Sequence, residues 1–473
     1  MSKIINRCGK SEANSEHTAP HLFALQQFLG KQLTLIALRG RSYEKVPNVV
    51  QPQNLDEWPY KKIEHWPPMT YRNCSVPTSE AVKTFTSFLE TENTSSQNKE
   101  LQPWIPFCDG RCSFCYFPVN CEKQTAALYL EALKKALGFY AKSKYIQTSV
   151  FNELYVGGGS PSVLANDQIV DILRYCRETF NLTDDCTTKF TACTNDLSED
   201  KVQTLASSKV DQLDIGIQTF DGSLRKMLML RDSCESATQK LKMAKKNGLH
   251  VSIDLLYNLP SQTTEQWRSD LKQALELDVE SVDCYPLELY SDTPLAKKIA
   301  SGELPAAGDD AKELEMYLEA YSIFKENGYS PTCHNRFSRL KEDFHEPSSE
   351  VVGTGAGFFM GQLGNHIYSD VEDVKSYIAT VQSGAFPVAR LATKTPEEEM
   401  RKAMMLIYIR VPVDREKFKL QFGKFPEEEF PDAIRRLHQK GLIETRDGKI
   451  LLTEKGDPWR VNIAWEFFNS PKQ

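Results

Sequence analysis

Three cysteines fall within eight residues in "PFCDGRCSFCYFP", Pro106 to Pro118, spaced Cys108-x3-Cys112-x2-Cys115. Soft thiolates at such spacing bind zinc, hold an iron–sulfur cluster, or pair as disulfides. Structural zinc prefers four ligands, usually as two close pairs. No second cysteine pair stands nearby, although Cys121 offers a fourth ligand. Three thiolates can instead hold three irons of a 4Fe–4S cluster. The fourth iron is then open to an amine and a carboxylate of a small molecule. Phe114 and Tyr116 flank Cys115, where aromatic rings can shield a cluster from solvent.

The elements that carry these residues show in the pattern. From about residue 103, short apolar runs alternate with helical stretches. "AALYLEALKKALGFYAK" precedes "ELYVGG", "NDQIVDILRYCRETF" precedes "TKFTACTN", and "LSEDKVQTLASSKV" precedes "QLDIGIQTF". "ESATQKLKMAKKNG" then precedes "HVSIDLLYNLP", and "TTEQWRSDLKQALELD" precedes "SVDCYPLEL". Such alternation predicts parallel strand–helix units, about six of them, forming an α/β partial or full (β/α) barrel. A doubly wound open sheet is the competing arrangement. In a barrel the active site lies at the C-terminal ends of the strands. Gly157 to Gly159, Gln218 and Asp254 fall at or near those ends.

Three regions follow. Residues 1–102 are irregular, rich in Pro, Tyr and Trp, and suit a segment that wraps over another domain. Within them "ETENTSSQNKE", Glu90 to Glu100, reads as a linker. Residues 103–310 form the barrel-like core. Residues 311–473 form a small C-terminal domain. There "EEFPDAIRRLHQKGLIETRDGKILLTEKG" predicts a helix, a glycine stop and a hairpin turning at Asp447-Gly448, an order similar to a winged helix.

The 473 residues carry 57 basic and 64 acidic side chains, a net charge of −7, and are 40% hydrophobic. That balance argues against a nucleic-acid partner. No apolar run is long enough for a membrane span; "HLFALQQFLGKQLTLIAL", His21 to Leu38, comes closest and suits an amphipathic helix. The start lacks a signal peptide's apolar core, so the expected location is cytoplasmic. Twelve scattered cysteines do not suggest a disulfide framework there. Most, such as Cys176, read as isolated core or surface thiols.

Five further segments, in order, carry a resemblance. "LYVGGGSPS" (Leu154 to Ser162), "LDIGIQTFD" (Leu213 to Asp221), "SIDLLYNLPSQTTEQW" (Ser252 to Trp267), "YPLELYSDTPLA" (Tyr285 to Ala296) and "VVGTGAGFFMG" (Val351 to Gly361) follow the cysteine triplet. Together with it they resemble the radical S-adenosylmethionine (SAM) enzymes, in the HemN-like branch that includes oxygen-independent coproporphyrinogen III oxidase and its methyltransferase relatives. The resemblance covers about residues 103 to 460. It implies that Cys108, Cys112 and Cys115 ligate a 4Fe–4S cluster. It also implies that Gly157, Gly158 and Gly159 hold the methionine end of SAM, and that Gln218 and Asp254 lie near its methionine and ribose. The chain departs from the family pattern at Cys193, which stands where a SAM-side glutamate is usual. It departs also at Gln102, where an aromatic is usual, and at Asp292, where a glycine is usual. These changes point to a specialised relative, with Cys193 the candidate catalytic residue.

The expected activity is reductive cleavage of SAM. A second SAM would give a carbon to an sp2 centre of a porphyrinoid, haem or aromatic heterocycle, as a methylation or alkylation. Flavodoxin or ferredoxin would be the reductant. The alternatives are decarboxylation of porphyrinogen propionates, a haem-binding chaperone using His334, His345 or His366, and a zinc-binding interaction protein.

Overall fold

Along each core strand apolar residues alternate with polar ones, and this alternation decides which face of the sheet meets helices. In the computed structural model, which describes residues 58–68, 75–340 and 349–468, six strands lie side by side in chain order, all parallel. They are β1 (Lys99–Ile105), β2 (Phe151–Gly158), β3 (Leu182–Ala192), β4 (Gln212–Gln218), β5 (His250–Tyr257) and β6 (Ser281–Pro286). In β4, Leu213, Ile215 and Ile217 are fully buried; in β5, Val251, Ile253 and Leu255 are. These side chains pack with the apolar faces of the connecting helices in one continuous core, which includes Leu133, Leu137, Ile172, Leu241, Trp267 and Leu271. The isolated core thiol expected at Cys176 sits there, fully buried.

The sheet does not stop at six strands. β7 (Ser330–Pro331) and β8 (Arg336–Ser338) add antiparallel beside β6. On the other side β9 (Glu350–Thr354) adds parallel to β1, and β10 (Gly361–Leu363), β11 (His366–Asp370) and β12 (Val388–Thr393) follow it antiparallel. The twelve-stranded sheet is open, with β12 and β7 at its edges. β1 starts inside the stretch read as a linker. Lys99 and Glu100 look like loop residues in sequence, but both are buried: the Lys99 ammonium lies 3.7 Å from the Glu350 carboxylate of β9.

The sheet's second face is polar and also buried, so its groups need partners. Gln102 donates to Glu100 at 2.9 Å, and Lys189 pairs with Glu153 at 3.0 Å. Arg336, brought by β8, reaches Asp283 at 2.8 Å and Asp214 at 3.5 Å. One arginine thus spans carboxylates from two core strands.

Beyond β12, a helix (Pro396–Met404) opens on a capping box between Thr395 and Glu398. It packs with helices Arg415–Phe422 and Pro431–Gln439 over a three-stranded sheet of β13 (Val413–Asp414), β14 (Ile443–Arg446) and β15 (Lys449–Leu452). The predicted hairpin is present, with Asp447 (φ 51°) and Gly448 (φ 73°) at its turn. Residues 58–68 lie along this part of the chain. Trp58 meets Trp459 edge-on, and the Trp465 indole donates to the Trp66 carbonyl at 2.8 Å. The amphipathic stretch His21–Leu38 lies outside the described residues. Among those described, no helix is long and apolar enough to cross a membrane.

Candidate functional site

The cysteines lie on the loop that leaves β1. A neck closes the loop: Cys108 N–H donates to Asn120 O at 3.1 Å, and Asn120 N–H to Pro106 O at 2.7 Å. Inside it, Cys115 N–H donates to Cys112 O at 3.3 Å, and the Arg111 guanidinium holds Cys115 O at 3.2 Å. The loop is also fastened from outside. Ser113 donates its N–H to Leu228 O at 3.0 Å and its hydroxyl to Met227 O at 2.9 Å. Asp109 is held by Lys123, by Arg231 at 2.6 Å and by Asn195 at 2.8 Å.

The three thiols are mostly screened from water. Burial pushes Cys108 and Cys112 up to about 12 and raises Cys115 as well; mutual repulsion adds to the rise at Cys108 and Cys112. Thiols so placed ionise only beside compensating positive charge, which iron supplies. Among the described residues no three His, Cys, Asp or Glu side chains converge as a single metal ion requires. A 4Fe–4S cluster takes one cysteine per iron, so it does not need that convergence. A donor set made of thiols suits the irons of such a cluster. Cys121, the alternative fourth ligand, is exposed.

The glycine triplet meets this loop directly. Gly157 and Gly158 end β2, opposite Trp104 and Ile105 of β1. Gly158 has φ 123°, and a β-carbon there would lie 2.8–2.9 Å from Ile105 backbone atoms. A β-carbon on Gly159 would lie 2.5 Å from Phe107 O and 2.8 Å from Cys108 Sγ. Ser160 follows, with its hydroxyl 3.8 Å from Cys108 Sγ. Gly158 and Gly159 thus let β2 close on β1 and on the first cysteine. Sequence reasoning assigned all three to a ligand and missed this packing role.

The other candidates sit on neighbouring strands. Cys193 follows β3, and its N–H donates to the Ser162 hydroxyl at 2.9 Å. Its thiol is raised by burial and is near enough to Cys112 to raise that thiol too. Gln218 ends β4 at φ 66°, and its amide folds over Gly216, 2.6 Å from where a β-carbon would be. Asp254 lies in register with Gly216 on one side and Asp283 on the other. Burial, then Asp283 and Asp214, pushes its carboxyl up to about 8 against the pull of Arg336. The fold therefore brings Cys108 to Gly159 and Cys193 to Cys112, and puts Asp254 in line with the glycine under Gln218.

Of the departures, Gln102 bonds Glu100, and Asp292 is exposed 3.9 Å from Arg111. Of the histidines, His334 bonds the Tyr408 hydroxyl at 2.6 Å, and His366 lies against Phe85 and Phe88 with Thr393 at 3.1 Å. His345 lies outside the described residues.

A wall of rings stands beside the cysteine loop. Tyr116 stacks on Phe117 at 4.8 Å and meets Tyr290 at 4.2 Å. Trp104 meets Phe117, Phe358 and Phe359 at 6.4, 5.9 and 5.7 Å. Trp66, from the 58–68 segment, meets Tyr116 edge-on at 6.2 Å and donates to the Tyr290 hydroxyl at 2.9 Å. Its neighbour His65 is seated between Glu313 at 2.6 Å and Glu288 at 3.4 Å. Only the aromatic richness of residues 1–102 signalled this contact.

The comparisons agree with this geometry. Residues 103–274 match the model of the radical SAM superfamily, and residues 395–459 that of the HemN C-terminal domain. The heme chaperone HemW of Lactococcus lactis is 30% identical over 378 residues, 77% of this chain and 95% of that protein. The anaerobilin synthase of Escherichia coli O157:H7 is 25% identical over 372 residues, 76% of this chain and 81% of that protein. The solved structure of coproporphyrinogen III oxidase (HemN) from Escherichia coli superposes with a TM-score of 0.76 at 20% identity, over 86% of this chain and 97% of that one.

Proposed function

We propose, on the premise that this chain belongs to the HemN-like radical SAM family, that it is an enzyme adding a SAM-derived carbon to an sp2 centre of a haem or porphyrinoid. Cys108, Cys112 and Cys115 would hold a 4Fe–4S cluster, which would supply the one-electron reductive cleavage of SAM. The chain's own residues do the rest. The neck at Cys108–Asn120 and the Ser113 anchor fix the loop. Backbone groups of Gly157 to Gly159, held against β1 and Cys108, would meet the methionine end of SAM, and Gln218 and Asp254 the remainder. An Asp254 carboxyl that keeps its proton near neutral pH can donate a hydrogen bond to a ribose hydroxyl. Trp66, Tyr116 and Tyr290 keep water from the reacting region.

The observation that carries the substrate class is the group of half-buried rings beside the cysteine loop, Trp66, Tyr116, Phe117 and Phe359, backed by the buried Trp104 and Tyr290. Flat conjugated rings pack well on such surfaces. The printed names of the relatives, concerned with heme, anaerobilin and coproporphyrinogen, support the same class. Cys193 in place of an acid next to Cys112 supports carbon transfer over decarboxylation. The test uses SAM deuterated at its methyl group, under anaerobic reduction, with a panel of porphyrins. Carbon transfer puts deuterium into 5′-deoxyadenosine and CD2 into the product, with S-adenosylhomocysteine released. Unlabelled 5′-deoxyadenosine with carbon dioxide release would favour the decarboxylase instead. Haem carriage is the second reading, favoured by the 30% identity to a heme chaperone. Tight haem binding with no 5′-deoxyadenosine would support it.

A further inference from the structure

The neck of the cysteine loop is a short piece of parallel pairing. Asn120 N–H donates to Pro106 O at 2.7 Å, and Cys108 N–H donates to Asn120 O at 3.1 Å. These two bonds set Asn120 opposite Phe107 as a parallel bridge. One step further along both segments, Cys108 comes beside Cys121. Segments paired in this way run about 4.8 Å apart, and their side chains alternate in step, so neighbours across the pair share a face. A disulfide spans Cα separations of roughly 4.4–6.8 Å. Beyond the two cysteines the segments are tied again, because Asp109, next after Cys108, pairs with Lys123, two after Cys121. The bridge and the ion pair thus hold the two chains together on either side of the thiols. Cys121 is also among the groups whose charge acts on the Cys108 thiol.

The two thiols differ in access. Cys108 is half-buried, with Gly159 and the Ser160 hydroxyl against it. Cys121 is exposed. The chain turns sharply there: Glu122 N–H donates to Asn120 Oδ1 at 2.6 Å, and Lys123 N–H to Cys121 O at 3.1 Å. That turn keeps Cys121 at the surface, where a reagent from solution can reach it. Both cysteines are free thiols in this structure.

We propose that Cys108 and Cys121 form a redox pair that closes into a disulfide when the loop holds no cluster, with a low-molecular-weight disulfide as oxidant. The Cys121 thiolate attacks one sulfur of the small disulfide, whose S–S bond breaks and releases one small thiol. Cys108 then attacks Cys121 sulfur and displaces the second. Two protein thiols lose two electrons, the small disulfide gains them, and the two protons leave on the two small thiols. The bond withdraws Cys108 from iron and shields it from irreversible oxidation, and a dithiol reverses it. The inference rests on the cluster reading above only in naming what the closed pair shuts out.

The test treats iron-free protein with oxidised glutathione, blocks the remaining thiols, and digests with trypsin and chymotrypsin. Cuts at Arg111, Phe114 and Tyr116 put Cys108, Cys112, Cys115 and Cys121 on four separate peptides. Mass spectrometry without reductant should find Cys108 joined to Cys121, and the anaerobically reconstituted holoprotein should not yield that pair. The oxidised protein should take up about a tenth of the iron that the reduced protein does, and dithiothreitol should restore the rest. Cys121→Ser should lose the linked peptide and still load iron after the same oxidation. A digest without the Cys108–Cys121 peptide would overturn the proposal, whether other cysteines have paired or glutathione remains on Cys121. Equal loss of iron uptake in oxidised Cys121→Ser would overturn it too. Iron uptake by the fully reduced protein is a separate readout: if none is bound there, the cluster reading fails, while the linked peptide still decides the thiol pair.

Discussion

Replacing Gly159 by alanine tests whether the loop after β2 sets the position of the first cysteine. The new methyl carbon would stand 2.5 Å from Phe107 O and 2.8 Å from Cys108 Sγ. Ordinary contact begins near 3.4 Å, so the cysteine loop must withdraw by roughly 0.6–0.9 Å. It is poorly placed to do so. Phe107 is fully buried against Tyr129, its carbonyl accepts from Ser160 N–H at 2.7 Å, and Cys108 N–H is engaged with Asn120. Overpacking of this kind costs about 1–3 kcal/mol. About 1.4 kcal/mol is a factor of ten in an equilibrium constant. If the strain falls on the cluster site, Gly159→Ala should release iron to a chelator at a roughly tenfold lower concentration than wild type. Gly222→Ala is the control, because nothing lies within 4 Å of a β-carbon there. The assay is anaerobic reconstitution, followed by iron and sulfide analysis across a chelator titration. Iron held as tightly in Gly159→Ala as in wild type and in Gly222→Ala would refute the packing argument.

Three other outcomes are expected. Alanine at Cys108, Cys112 or Cys115 should remove most iron and all SAM cleavage while Cys121→Ala keeps both; equal damage at Cys121 would end the open-iron reading. Asp254 keeps its proton in the fold up to about pH 8 but ionises near pH 4 in the unfolded chain, so its contribution to stability is complete below about pH 4 and is lost as pH rises toward 8. Asp254→Asn should therefore gain on wild type in urea midpoint between about pH 5 and about pH 8, and a difference independent of pH would contradict the assignment. Arg336→Met takes the guanidinium away from the Asp283 and Asp214 carboxylates, leaving Asp283 with Ser252 at 3.4 Å and Asp214 with Gln212 at 2.7 Å, and should destabilise by about 3–5 kcal/mol in the same denaturation assay; a loss under half of that would show that those other groups hold the pair.

The parts legible in the sequence are those written in short-range pattern. Alternation in "QLDIGIQTF" and "HVSIDLLYNLP" carried over directly into β4 and β5, and Asp447-Gly448 into the hairpin. The cysteine spacing and the glycine triplet marked the two loops that meet. What escaped was long-range. Nothing in "VVGTGAG" says that β9 pairs with β1, some 250 residues earlier in the chain, because the pairing rests on backbone bonds any short apolar strand can make. Arg336 gave no local sign that it would cross to Asp214 and Asp283. Trp66 and His65 sat in a stretch without periodicity, and their role depends on partners more than 200 residues away. The linker expected at Glu90 to Glu100 ran into β1 because buried charged pairs look like loop residues in sequence.

The contact between Gly159 and Cys108 also bears on how the site moves. With no β-carbon between them, the backbone after β2 and the first cysteine have almost no slack, and Gly159 N–H and Ser160 N–H bond to Ile105 O and Phe107 O on either side of the contact. The two loops must therefore fluctuate together. A group held by both loops meets a nearly constant separation of its contacts while the surrounding helices breathe. Electron tunnelling falls off steeply with distance, so a gap of small variance makes for a narrow spread of rates. It also means that neither loop can gain or lose a residue in evolution unless the other changes with it.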